Sequence, residues 1–598
     1  MCGVAGIYAY GADAPQVDEH ALLAVRDSMV ARGPDDAGLW VSGDRRVGLA
    51  HRRLSIIDLS PAGAQPMMYG LGELRISFNG EIYNYEALRA ELVAQGRQFR
   101  SHSDTEVLLH LYDRDGPDMV HALRGMYAFA IWDEAKRGLF LARDPFGIKP
   151  LYYADDGATV RVASQVKALL AGGAVDRVEE PAGHIGFFLW GYVPEPYTLF
   201  RRVRALPAGS TLWIDRHGLR EPVRFFSAAA ELARAAEEST NEPADAVVDR
   251  LREALADSVR HHLVADVPVG VFLSSGLDSS TILGLAAEQA SEPLRTVTLA
   301  FDEYTGTAMD EAPLAEETAR VYGARHQTRS VRKADFAAEH DALVAAMDQP
   351  SIDGVNTYFV SKVAAGTGLK VAMSGLGGDE LFGGYPSFGQ IPKLVKTLGP
   401  LRPLRELGRG FRIVAAPVVR TFTSPKYASL FEYGTSYGDA YLLRRSLFMP
   451  WELPDVLDGE MVREGWGELD TLARVAGGPD RLGSERAKVS ALEIDWYMRN
   501  QLLRDADWAG MAHSLEIRVP LIDIVLFRAL APMLCAVHPP AKRDMALTPR
   551  QPLPRAVLDR PKTGFVVPVR EWLHGGGGGE RGLRGWAKRV YSLCYAEA

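Results

Sequence analysis

The chain has 598 residues, 47% of them apolar and 24% charged, and carries a net charge of −9. That length exceeds what one hydrophobic core fills, so at least two domains are expected. The acidic balance gives no electrostatic case for nucleic acid or an anionic membrane as the main partner, and no apolar run is long enough to span a bilayer.

In chain order, "MCGVAGI" places a cysteine at position 2. The start lacks a basic region and a long apolar core, so no signal peptide is expected. Cys2, Cys535 and Cys594 form no close pair and no metal-ligand spacing; they read as reduced thiols of a cytoplasmic protein. No HExxH motif occurs, so zinc is not expected. "RISFNG" (Arg75 to Gly80) alternates and is expected to end in a turn. "NYEALRAELVAQG" has helical apolar spacing and a terminal glycine, and "SDTEVLLHLYDRDG" opens on a capping Ser/Asp pair. "YAFAIWD" and "GLFLARD" read as an antiparallel pair. This mixture suggests layered α+β packing.

"SAAAELARAAEESTNEPADA" (Ser227 to Ala246) is Ala/Glu-rich and reads as a surface connector leading into a helix. Beyond it, "VPVGVFL", "LRTVTLAF" and "LKVAMS" are strand candidates alternating with the helices "STILGLAAEQA" and "DEAPLAEETARVYG". That alternation predicts a parallel sheet with crossover helices. The rest is expected to be mostly helical, with the basic stretch "RPLRELGRGFR" (Arg402 to Arg412) a solvated helix face and "HGGGGGERG" a flexible loop.

"VGVFLSSGLDSSTILGLAAE" carries the strongest local signal, a buried strand feeding a Ser/Gly turn and a helix. Gly276 is expected to allow a tight turn. Hydroxyls of Ser274, Ser275, Ser279 and Ser280 and the amides of the helix start would face an anion. Asp278 would repel phosphate unless a cation, naturally Mg2+, lay between. A plain serine-capped connection explains the same pattern. No GxxxxGK[ST] is present, so the loop is not of the Walker type; SSGLDSS instead resembles the SGG-x-DS loop of ATP pyrophosphatases. "KVAMSGLGGDELFGGY" is a second glycine-rich loop after a strand, and places Asp379 as a second carboxylate facing Asp278 at the strand ends.

Taken together, "MCGVAGI", "RGPDDAG", "AHRRLSIIDLS", "FNGEIYNY", "SDTEVLL", "LARDPFGIKPLYY", "LSSGLDSS", "SGLGGDELFGGY", "MAHSLEIRVPLID" and "RPKTGF" resemble the glutamine-dependent asparagine synthetases over nearly the whole chain. The resemblance implies an N-terminal-nucleophile αββα sandwich at residues 2–212, a class II glutamine amidotransferase. A linker at 213–244 and a parallel-sheet α/β ATP-pyrophosphatase domain with a helical C-terminal part at 245–598 would follow. Met1 removal would free the Cys2 α-amine, whose ordinary pKa near ~7.7 suits a base for its own thiol. Arg53 would pair with the glutamine α-carboxylate, Asp104 with its ammonium, and Glu81 would lie in the same pocket. Asn79 and the Gly80 N–H would form an oxyanion hole, worth roughly 3–4 kcal/mol per donor. Each has a plain alternative: a hairpin turn for Asn79-Gly80, a helix cap for Asp104, a surface cation for Arg53.

In the second domain the resemblance places Leu273, Leu299, Ser374 and Gly375 around ATP beside the loop residues. Asp278 and Asp379 would hold Mg2+, Lys562 would neutralise charge developing on the phosphates, and Glu516, Arg518 and Asp523 would shape the site. One position departs from the pattern: Leu376 stands where the family usually carries Glu. Three readings stay open. The chain is an asparagine synthetase whose Glu role is filled by Glu380, Asp353 or Glu516; it amidates another carboxylate, such as a sugar acid or a natural-product intermediate; or it is a non-catalytic binding protein. The expected partners are glutamine, ATP and a carboxylate acceptor, without nucleic acid or membrane, in a possible homodimer with an internal ammonia channel.

Overall fold

A computed structural model describes residues 2–238, 244–422, 424–561, 568, 572 and 582–596. The N-terminal part contains strands β1 (Gly3–Ala9), β2 (Asp36–Val41), β3 (Val47–Arg53), β4 (Met67–Tyr69), β5 (Leu74–Ile82), β6 (Gly125–Asp133), β7 (Gly138–Arg143), β8 (Tyr152–Asp155), β9 (Thr159–Ala163), β10 (Val203–Ala205), β11 (Ser210–Asp215), β12 (Gly218–Leu219) and β13 (Val223–Arg224). One sheet runs β10-β8-β9-β1-β3-β2 and the other β12-β11-β7-β6-β5-β4, with β13 on β11. Val4, Leu49 and Val162 of the first sheet meet Trp132, Leu141 and Leu212 of the second in one apolar layer. Helices α1 (Glu19–Asp27), α2 (Tyr85–Ala94), α3 (Asp104–Asp115), α4 (Val166–Ala171) and α5 (Pro181–Trp190) cover the outside. Leu22, Val25 and Leu169 lie over the first sheet, and Leu88, Leu92 and Leu108 over the second. The result is an αββα sandwich, required because strands such as β1 and β7 are buried at every position and each sheet therefore has two faces to cover.

Three expectations change here. β5 does not turn at Asn79-Gly80: it pairs with β6 through Gly80↔Tyr127 to Ile82↔Gly125, so these two residues lie within a strand. The second sheet also draws on β11 to β13, past residue 212, because β11 pairs with β7. The supposed surface connector contains helix α6 (Ala228–Glu237), whose Ala228, Leu232 and Ala235 are buried against the body of the molecule. Their i, i+4, i+7 spacing makes an apolar stripe that cannot stay in water without cost.

The C-terminal part follows with helices α7 (Ala244–His262) and α8 (Leu277–Ala287) and strands β14 (Val269–Phe272), β15 (Arg295–Phe301), β16 (Arg325–Val331), β17 (Val371–Met373) and β18 (Glu516–Arg518). All pair in parallel, in the order β16-β15-β14-β17-β18. Apolar clusters cover the sheet on each face, which is why its inner strands β14, β15 and β17 read as largely apolar runs. Tyr83, Met126 and Phe146 of the first part share one cluster with Ile517 and Phe527 of the second, so the two parts are joined by core rather than by a wet seam. Among the described residues no helix is long and apolar enough to cross a membrane.

Candidate active sites

Cys2 precedes β1 and is buried, its thiol pushed above the ordinary range by burial. Its backbone N–H donates to Asn79 Oδ1 at 2.9 Å. That bond fixes which end of the Asn79 amide is which. The other end, Nδ2, is buried and has no hydrogen-bond partner. A buried amide donor left empty costs about 1–3 kcal/mol, so it is a position that awaits an acceptor. Gly80 has φ +151°, and a Cβ there would meet the Met126 carbonyl oxygen at 2.1 Å. Only glycine brings the β5 backbone this close to β6.

Arg53, at the end of β3, is buried with its guanidinium held by backbone carbonyls: Ile57 at 3.3 Å, Ser60 at 3.1 Å and Asp58. It is therefore not a surface cation. Asp104 is the first residue of α3, while Ser103 is the cap, donated to by Thr105 N–H. The Asp104 carboxylate instead reaches across to the Ile82 N–H at 3.0 Å, and burial pushes its pKa up to about 6. Glu81 is buried, and burial together with Glu516 and Asp104 pushes its carboxyl well up.

The second site is a cavity of about 470 Å³ at the C-terminal ends of β14 and β17. Leu273, Ser274, Ser275, Gly276, Asp278, Ser279, Leu299, Ser374, Gly375 and Asp379 all line it. The Ser274 and Ser279 hydroxyls bind one another at 2.9 Å and tie the loop, whereas Ser275 Oγ is buried without a partner. Gly276 has φ −80°, which any residue adopts, so its expected tight turn is not the reason for glycine there. The glycines that conformation demands are in the second loop, at Gly377 (φ +97°) and Gly383 (φ +65°). A Cβ on Gly378 would strike Asp278 Oδ1 at 2.4 Å, so the two loops interlock.

Lys542 bridges Asp278 and Asp379 through its ammonium. One small cation thus reaches both carboxylates, and hard oxygen donors of this kind suit Mg2+. Among the described residues no cluster of three or more His, Cys, Asp or Glu could hold a metal, so such an ion would complete its shell with substrate oxygens and water. Lys562 lies outside the described residues, as does the "HGGGGG" stretch.

Leu376 lines the same cavity beside Glu380, Asp353, Tyr385 and Tyr497. Glu380 is buried; Oε1 accepts from Tyr385 Oη at 2.8 Å and Oε2 has no partner. Burial and then Asp379 push its pKa up to about 8. Burial also raises Asp353. Glu516 does not reach this cavity. Side chains alternate along β18, so Ile517 lines the cavity while Glu516 and Arg518 point the other way. Arg518 binds Glu516 at 2.7 Å and stands 3.6 Å from Glu81. Against its burial, the neighbouring positive charge, Arg518 included, holds Glu516 at about 2. Asp523 caps the helix Ile524–Leu534 and binds Arg124 at 2.8 Å across the domain junction.

Sequence reasoning did not single out Lys542, which sits in no glycine or serine motif. It also assigned nothing to Arg32. That residue donates to the Cys2 carbonyl at 3.1 Å and makes a bidentate pair with Asp507 at 2.6 and 3.0 Å. Its place inside "RGPDDAG" was the available signal.

Comparison with known proteins agrees with this division. A family profile described as a glutamine amidotransferase domain matches residues 1–226, and one described as asparagine synthase matches residues 250–590. Asparagine synthetase [glutamine-hydrolyzing] 1 of Bacillus subtilis is 33% identical over 96% of this chain and 88% of its own length. A putative asparagine synthetase [glutamine-hydrolyzing] of Mycobacterium tuberculosis is 36% identical over 96% of this chain and 89% of its own. Asparagine synthetase [glutamine-hydrolyzing] 3 of Bacillus subtilis is 30% identical over 88% and 79%.

Proposed function

The chain belongs to the glutamine-hydrolysing asparagine synthetase family, and from that premise we propose that it makes asparagine from aspartate, glutamine and ATP. With Met1 removed, the Cys2 α-amine takes the thiol proton and the sulfur attacks the glutamine side-chain carbonyl carbon. The oxygen takes up negative charge against Asn79 Nδ2 and the Gly80 N–H. The C–N bond breaks, the leaving nitrogen takes the proton and departs as ammonia, and water releases glutamate from the thioester. Arg53 receives the α-carboxylate, Asp104 the α-ammonium, and Glu81 closes the pocket.

At the cavity, an aspartate side-chain oxygen attacks the α-phosphorus of ATP and displaces pyrophosphate. Ser274, Ser275, Gly276, Ser279, Leu273, Leu299, Ser374 and Gly375 position the nucleotide. Asp278 and Asp379 would hold Mg2+, which would supply charge screening for the phosphates. Lys542 stays beside the departing pyrophosphate, and Lys562 is proposed to join it. Asp353 and Glu380 line the acceptor end of the cavity, with the Tyr385 hydroxyl donating to Glu380. Leu376 supplies an apolar wall, so Asp353 and Glu380 are the polar groups available where the family Glu is missing. Ammonia then attacks the acyl-AMP to give asparagine and AMP.

The observation that carries this reading is β18. One face of the strand lines the ATP cavity through Ile517, and the other meets the glutaminase pocket through Arg518 and Glu81. Ammonia released at Cys2 is proposed to pass along this strand. The reading of another carboxylate acceptor gains nothing from the names of the three relatives above. Pyrophosphate release measured with aspartate and with sugar acids tests the acceptor: release with aspartate is expected, and its absence would end the asparagine assignment. Mass measurement in solution tests the expected homodimer.

A further inference from the structure

Tyr385 and Tyr497 line the acceptor end of the ATP cavity, and a guanidinium lies against both rings. It belongs to Arg445, the last residue of the helix Tyr437–Arg445. Its Cζ is 4.5 Å from the Tyr385 ring centre and 3.9 Å from that of Tyr497. The two rings meet edge to face, 5.8 Å apart at 80°. Glu493 anchors the guanidinium from behind. Nε donates to its two oxygens at 3.2 and 3.0 Å, and Nη2 stands 2.8 Å from Oε2. Glu493 is fully buried and also accepts from the Ser387 hydroxyl at 2.5 Å and the Tyr441 hydroxyl at 3.1 Å. A carboxylate with this many donors is fixed in orientation, and so is the flat cation it holds.

The helix that carries Glu493 is shaped for the same purpose. Glu493–Leu503 is π-helical over 11 residues, whereas most π segments are single turns. With i→i+5 bonding, residues five apart stack on one face, so Tyr497 and Leu502 both reach the cavity. On an α-helix, at about 3.6 residues per turn, the pair would point to different sides. Tyr385 in turn donates to Glu380 Oε1 at 2.8 Å, so the plane of its ring decides where that carboxyl stands.

We propose that Arg445 is a positioning residue for the acceptor. Held by Glu493, it sets the planes of Tyr385 and Tyr497 and, through the Tyr385 hydroxyl, the place of Glu380. This rests on the reading of the cavity as the adenylation site. A guanidinium suits the task because it is planar, always charged, stacks on ring faces and is gripped at its edge by a carboxylate. A lysine ammonium is a point charge without a plane. The residues proposed to position ATP stand on β14, β15 and the loops after β14 and β17, so the stack is expected to act on the acceptor and not on the nucleotide.

Pyrophosphate release and glutamine hydrolysis are measured on the full chain with aspartate, and with glucuronate if aspartate gives no release. Arg445→Leu is expected to raise the KM for the acceptor by about tenfold or more, while the KM for ATP and the rate of glutamine hydrolysis change by less than about twofold. Arg445→Lys should behave as Arg445→Leu does. Glu493→Gln keeps the shape and loosens the grip on the guanidinium, so it should move the acceptor KM the same way by a smaller factor. It carries the test if Arg445→Leu fails to hydrolyse glutamine. An unchanged acceptor KM, an equal rise in the KM for ATP, or full activity with lysine overturns the proposal. Loss of glutamine hydrolysis in Arg445→Leu and Glu493→Gln alike overturns it too, because the stack is then a structural strut. Wild-type release with glucuronate and not aspartate ends the asparagine assignment and leaves this test intact; release with neither overturns both.

Discussion

Around Cys2 the groups proposed to meet glutamine sit inside strands or at a helix start and are buried, whereas around Asp278 they stand on loops at strand ends and face a cavity of about 470 Å³. The first site is held by backbone: β5 carries Asn79 and Gly80, and three carbonyls grip Arg53. The second is held by charge, with Lys542 standing between Asp278 and Asp379. A backbone-held site is complete before substrate arrives and loses rate when one atom group is removed. A charge-held site is assembled as cations and phosphates exchange places with the lysine, so it is sensitive to the sign and number of its charges.

The sharpest way to separate the halves is Cys2→Ala. Glutamine-dependent synthesis should fall by about 10⁴-fold or more, since the nucleophile is gone, while synthesis from ammonium salts persists. Glutamate and pyrophosphate assays check this, and loss of each activity would break the comparison. Next in size, Asp278→Asn or Asp379→Asn should cut pyrophosphate release by about 10²–10³-fold, comparable to losing a preorganised electrostatic group, and leave glutamine hydrolysis in place. Asn79→Ala should lower kcat for glutamine by about 10²-fold or more with little change in KM, because its free Nδ2 acts when charge develops on oxygen. Equal loss in KM would make Asn79 a binding group instead.

The smallest expected effect is in pH. Asp104 titrates at about 6, raised by burial. An ammonium is held only by the ionised form, and a raised pKa means that the proton returns as pH falls through 6. The KM for glutamine should therefore rise by about tenfold per pH unit below 6 and stay flat above it. Asp104→Asn should raise KM throughout and flatten that limb; a limb that persists in the variant assigns it to another group.

Much of the fold was legible because its signals are local. Strand and helix periodicity gave β6, β7, α2, α3, β14, α8 and β15. β18 was not legible: Glu516-Ile517-Arg518 is too short for a period and two of its three residues are charged, so nothing in it reads as a buried strand. Nor was α6, whose alanines look like solvent-facing filler until the helix Ile524–Leu534 lies against them. Asn79-Gly80 is a hairpin signal by composition, and only pairing with β6 keeps the chain extended through it.

Sequence alone determined the parts proposed to react: a thiol at position 2, an Asn-Gly pair, two glycine-rich loops with their aspartates, and the family that carries them in this order. These are short contiguous motifs, because loops that grip small anions are built from neighbouring amides and hydroxyls. Tertiary structure alone decided what joins them. Lys542 reaches Asp278 from 264 residues away, Arg32 reaches Asp507 from 475, and β18 presents one face to each site. Such contacts depend on where the chain returns after long excursions, and that is set by the burial of whole faces rather than by any local run of residues.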